Sequence, residues 1–143
     1  MDWIHLFFSF NGRISRKPYW IAFCILIAIS IFVAVFFYSI DQRPLGGVFD
    51  LAVLYPNYAV IFKRAHDRDM ATWIPSLALI LSILLTFVSI LGLDGPFDDP
   101  SRLYLVIALP TLAVALYLLA DLGFCRGTPG PNRYGPDPLE GRT

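Results

Sequence analysis

The sequence predicts an all-α integral membrane protein, an antiparallel bundle of four transmembrane helices with both termini in the cytoplasm. Three observations carry that prediction. Hydrophobic residues make up 57% of the 143 residues, and mean hydropathy is +0.63, high for a soluble domain of this length. The charged residues fall almost wholly between apolar runs. The basic residues also alternate from loop to loop. With the N-terminus inside, cytoplasmic segments hold Arg13, Arg16, Lys17, Lys63, Arg64, Arg68, Arg126, Arg133 and Arg142, nine of the 11 Lys and Arg; only Arg43 and Arg102 fall outside. Such a split is the positive-inside pattern.

The elements follow in chain order. The start, MDWIHLFFSF, lacks the basic-then-apolar order of a cleavable signal peptide, so the next apolar run is expected to stay in the mature chain. These ten residues predict a short interfacial helix with Trp3, Phe7, Phe8 and Phe10 dipping into the membrane. Four spans are expected over about 20–40, 46–62, 73–93 and 103–123, each near the roughly 20 residues a bilayer requires. The second is the weakest, because it contains Asp50, Pro56 and Asn57, and Gly46 and Gly47 suggest that its helix proper starts near Val48. It is needed all the same: three spans would put the last two basic segments on the wrong sides. Pro56 and Pro110 lie inside spans and remove a backbone donor each. Tyr19, Trp20, Tyr38, Trp73 and Tyr104 sit near span ends, as an interfacial aromatic belt requires.

Residues 1–126 thus form the membrane domain, and 127–143 a cytoplasmic tail. Eight of the 17 tail residues are Gly or Pro, so the tail is turned or extended and held only by specific contacts. The balance of 11 basic against 11 acidic residues gives no reason to expect a nucleic-acid partner. Cys24 and Cys125 read as buried small hydrophobes rather than a disulfide. With His5 as the only other histidine and no paired-cysteine motif, no metal site and no cofactor is expected.

Three polar clusters face one membrane surface in this topology: GRISRKPYW before the first span, KRAHDRDMATW between the second and third, and GPNRYGPDP in the tail. Some of their residues have plain roles. Lys63 and Arg64 suit the negative end of a helix dipole, Asp69 suits the positive end of the next, and Ser15, Asp69 and Thr72 are cap candidates. Asn11-Gly12 favours a turn. Arg13 and Arg16 have the forked donors that grip carboxylates or phosphates, with Asp67, Asp121, Asp137 or anionic lipid head groups as candidate partners. His66 and Asp67 are adjacent, so they point to different partners, Arg16 or the tail among them. Inside the membrane, Asp50 and Asp121 lie near span ends, where reaching water costs little; Asn57 is deeper and suits a freed carbonyl or a bond across helices.

FNGRISRKPYW, PNYAVIFKRAHD with Trp73, and GPNRYGPDP together resemble the family called domain of unknown function 805, small bacterial inner-membrane proteins, over Phe10 to Pro138. The residues that carry the resemblance are Gly12, Arg13, Ser15, Arg16, Trp20, Pro56, Ala59, Arg64, His66, Asp67, Trp73, Asn132, Tyr134, Gly135, Asp137 and Pro138. The chain departs from the pattern after His-Asp, where the family tends to have glycines and this sequence has Asp69 and Thr72. The resemblance implies a multi-pass protein of the bacterial inner membrane and names no activity.

On this reading Arg13, Arg16, Arg64, His66, Asp67, Asn132, Tyr134 and Asp137 form a polar latch on the cytoplasmic face, with an anion site inside it; Asp50, Asn57 and Asp121 are the intramembrane polar residues. No catalytic residue is assigned. The expected function is that of a non-enzymatic accessory, scaffold or regulatory component. Its expected partners are the lipid bilayer, anionic lipid head groups and another membrane protein or complex. A small transporter or channel is the first alternative, resting on Asp50, Asn57 and Asp121. A membrane enzyme acting on lipid head groups, with His66 as acid or base, is the second.

Overall fold

The computed structural model describes residues 2–96 and 98–140. Arg142, one of the basic residues counted in the topology, lies outside them. Five helices follow in order: α1 Trp3–Phe8, α2 Arg16–Ser39, α3 Arg43–Asp67, α4 Trp73–Ile90 and α5 Arg102–Phe124. The last four are long and apolar enough to cross a membrane. Short connections make them an antiparallel bundle in which α2 packs on α3, α3 on α4 and α4 on α5, and α5 closes back onto α2.

The span of lowest mean hydropathy, α3, is the centre of this arrangement. It touches α1, α2, α4 and α5, and it is the most buried of the four. Its polar residues are therefore withheld from lipid by neighbours, while the more apolar α2 and α5 present Ile, Leu and Phe outward. That is the pattern expected where lipid replaces water as the solvent. The buried cluster runs along the inside of the bundle through Tyr19, Ala22, Leu26, Tyr58, Val60, Ala78, Leu118 and Leu122.

Several expectations are corrected. The α3 helix starts at Arg43, with Pro44 in its first turn, not near Val48. Gly46 and Gly47 are helical, and their role is close approach. A Cβ on Gly46 would lie 2.9 Å from Phe37 Cβ, and one on Gly47 2.5 Å from Ile90 Cγ1. Ser15 and Thr72 occupy cap positions but make no side-chain cap bond. Asp69 does not cap α4 either; it takes the left-handed φ of +51° in the loop and pairs with Arg133. A left-handed residue there is what glycine would supply, and Asp is one of the few other residues that tolerates it. Cys24, within α2, and Cys125, just after α5, are exposed rather than buried in protein.

The N-terminal helix forms as expected and is capped by Asp2, whose carboxylate accepts from the His5 backbone N–H at 3.0 Å. Its aromatic residues divide. Trp3 and Phe8 stay exposed, whereas Phe7 packs against the core and Phe10 packs edge-on against Tyr55 and Phe62 of α3.

Candidate functional site

At one end of the bundle the α1–α2 connection, the end of α3, the end of α5 and the tail meet. Gly12, at φ +92°, turns the chain so that Arg13 points into the junction. Every nitrogen of its guanidinium is engaged. Nε donates to Asp67 Oδ1 at 3.1 Å, Nη1 to the carbonyls of Gly130 and Gly135 at 2.8 and 3.2 Å, and Nη2 to the Thr128 carbonyl at 2.7 Å. Arg64 approaches Asp67 from the other side and donates to its Oδ2. The Arg13, Arg64 and Asp67 side chains are at most 4% exposed. Two cations thus share one carboxylate out of water. Such a group holds only when the remaining donors are also satisfied, and here backbone carbonyls satisfy them.

Those carbonyls follow a rule. The last carbonyls of a helix have no partner within it, and cations suit that negative end. At the end of α5, side chains from α2, the α3 helix and its C-cap take successive carbonyls. Arg64 takes Leu122 at 2.8 Å and Cys125 at 2.6 Å, Trp20 Nε1 takes Gly123 at 3.0 Å, Arg16 takes Phe124 at 3.2 Å and Arg68 takes Arg126 at 2.5 Å. Lys63, fully buried, does the same for α1, donating to the carbonyls of His5 and, at 2.6 Å, Leu6. The dipole argument for Lys63 holds, but the helix it serves is α1, not its own.

The end of α3 is closed by the tail. The Asp67 carbonyl accepts from the Thr128 N–H at 2.8 Å, and the His66 carbonyl accepts from Asn132 Nδ2 at 2.9 Å. The His66 ring lies flat on Tyr134, with centroids 3.9 Å apart and planes 12° apart, and its Nδ1 is 3.2 Å from the Gly12 carbonyl. Asp137 closes the tail on itself, accepting from the Gly130 N–H at 3.0 Å and the Leu139 N–H at 2.9 Å. These two backbone bonds, from Leu139 and then Gly130, hold its carboxyl below the usual carboxylate range. Gly127 is required because a Cβ there would run into the Asp67 carboxylate.

The structure therefore brings Arg13, Arg64, His66, Asp67, Asn132, Tyr134 and Asp137 into one junction. His66 and Asp67 do turn to different partners, the tail for His66 and two arginines for Asp67. Arg16 sits at the edge, on the Phe124 carbonyl alone. Asp121 is not free to reach water as a lone carboxylate: it is bridged at 2.9 Å by Arg68. Hydrogen bonding to Asp121 raises the Arg68 guanidinium above its ordinary value. Asn57 makes no side-chain hydrogen bond among the described residues and lines a cavity with Asp50 instead. Sequence reasoning passed over Lys63, Arg68, Trp20 and Thr128 as site residues. Arg64 and Arg68 were recognisable as one helical turn apart and so on one face; nothing in the sequence marks Thr128.

A four-span bundle sealed at one end by a folded Gly/Pro-rich tail defines a class of small polytopic membrane proteins. The chain belongs to the family described as Protein of unknown function (DUF805), which matches residues 7–136. The chain covers most of each relative's length, and two of the three that follow are named as inner membrane proteins. Inner membrane protein YhaH of Escherichia coli K12 is 27% identical, with 96% of this chain and 97% of the relative covered. Uncharacterized protein YiiR of the same organism is 30% identical over 91% of this chain and 86% of its own. Inner membrane protein YhaI is 28% identical over 93% and 88%. No solved structure matches the chain. The protein is a multi-pass protein of the bacterial inner membrane.

Proposed function

We propose that this protein is a non-enzymatic component of the inner membrane whose latched tail presents a fixed cytoplasmic surface to a partner membrane protein or complex. One observation carries the reading: the two buried arginines of the cluster already use their donors within the chain. Arg13 has no nitrogen left for a ligand, and Arg64 is fully buried. That supports a structural latch over an anion site at these two arginines. His66 supports the same view, since among the described residues no hydroxyl or thiol bonds to its ring, and Tyr134 covers one face. The reading places the latch in the cytoplasm, on the strength of the basic residues gathered there.

The test is affinity purification in mild detergent from native membranes, comparing the intact chain with one ending at Arg126 and with Arg13→Gln. A partner in fixed ratio to the intact chain, lost from both variants, is the expected result. Recovery of the intact chain alone, or a partner indifferent to tail deletion, overturns the proposal.

A further inference from the structure

The latch leaves one costly residue unexplained. Asp50 lies seven residues into α3, about 10 Å from its first residue, and Lys63 lies 13 residues further on, about 20 Å away. Because α3 starts at Arg43 and not near Val48, Asp50 lies deeper than the span-end position expected from the sequence, at a depth where an ionisable group needs a partner or a polar cavity and marks a functional site. Among the described residues Asp50 has no ion pair and no hydrogen bond. Half-buried, it lines an open cavity of about 360 Å³, a groove between α2, α3 and α4, together with Ser30, Asn57 and Thr86. The other lining residues are aliphatic, so no second titratable or charged group from α2, α3 or α4 lines the space with Asp50.

The cavity does not stand alone. Asn57 and Leu54 also line a second cavity of about 200 Å³, whose polar walls include Thr111 and the pair formed by Tyr58 and Ser82, with Tyr58 Oη and Ser82 Oγ 2.9 Å apart. This second cavity extends to Tyr19, one helical turn from Arg16 at the latch end. Polar groups therefore continue from Asp50 through the bundle toward the sealed end. Cavities of this size with several polar walls are suited to water.

We propose that the Asp50 cavity is a proton-binding site inside the membrane, with the Asp50 carboxyl as the group that takes up and releases the proton. A carboxylate in hydrocarbon needs a neutralising charge, and no Lys, Arg or His in the cavity supplies one. A metal cation would ask for a shell of oxygens. Here Asp50 supplies the one charged ligand, beside one amide and two neutral hydroxyls, whereas cation sites of this kind are built on several carboxylate and carbonyl oxygens. A proton needs only one carboxyl oxygen to bind it, and Asn57 and Ser30 line the same space with oxygens that can accept from the protonated carboxyl through water. The site is independent of the latch reading; either can fail without the other.

The test is reaction of the intact protein, in lipid nanodiscs, with dicyclohexylcarbodiimide, read by peptide mass spectrometry. A protonated carboxyl gives its proton to a carbodiimide nitrogen while its oxygen bonds to the central carbon. The O-acylisourea then rearranges to a stable N-acylurea, with no oxidant or leaving group. The expected result is an adduct at Asp50 that decreases as pH rises, by about tenfold per pH unit once the site has lost its proton. It should be unaffected by sodium chloride at fixed pH and absent in Asp50→Asn. Salt-bridged Asp121 serves as the internal control and should stay unlabelled. Three results overturn the proposal: no Asp50 adduct in the folded protein although the detergent-unfolded chain labels there; labelling that ignores pH; or protection by sodium, which would make it a metal-cation site.

Discussion

At the residue scale, the structure turns on Asp67. It is the single carboxylate between Arg13 and Arg64, and all three are buried. Asp67→Asn leaves two cations out of water with no counter-charge, and removing one member of such a group costs about 3–5 kcal/mol. Denaturant unfolding in detergent micelles should show that loss, and Asp69→Asn, whose partner Arg133 is exposed, should show little. Asp137 offers a pH test. Its folded carboxyl is held below the ordinary range, so it stabilises the docked tail fully above that range. The stabilisation is lost as pH falls through the lowered folded value. Proteolysis at the tail should accelerate on acidification across that window, and Asp137→Asn should flatten the dependence.

At the scale of elements, helix ends account for most of the polar contacts. The α5 terminus is closed by Trp20, Arg16, Arg64 and Arg68, the α1 terminus by Lys63, and the α3 terminus by the tail. Replacing Lys63 with Met keeps the apolar stem but leaves the His5 and Leu6 carbonyls unbonded, at about 1–3 kcal/mol each. Hydrogen exchange should then show α1 opening while α2 to α5 stay protected. Gly47 sets the contact between α3 and α4. Gly47→Ala should destabilise the bundle because its Cβ meets Ile90, and Ile90→Ala in the same chain should restore part of the loss. A shortfall in the double variant that equals the sum of the single ones would show that the two residues do not meet.

At the scale of the whole molecule, the terminal segments lie at one end and Arg43, Asp94 and Tyr104 at the other, around a hollow lined by all three. With the basic residues inside, reporter fusions after residue 140 should report the cytoplasm, and fusions in the α4–α5 connection the opposite side. A fusion after 140 that reports the outside would invert the molecule and place the latch outside the cell. The tail is also part of the fold rather than an appendage, since Thr128, Gly130 and Gly135 supply the carbonyls that hold Arg13.

By itself the sequence determined the four spans, the membrane setting and the gathering of three polar clusters at one end. These follow from length, hydropathy and the spacing of charge, which are properties of the chain read in order. Only the tertiary structure decided what each cluster residue binds. Most acceptors in the junction are backbone carbonyls, and every residue carries one, so no side-chain pattern marks those of Leu122 or Thr128. The same limit hid the reason for Gly46 and Gly47, which look like helix breakers until Phe37 and Ile90 are seen against them. Asp50 shows the division most clearly. A carboxylate inside a span was legible from one letter, but the sequence read it as near a span end; its depth and the groove it lines are set by where α3 begins and by three helices packing. The groove exists only once they pack.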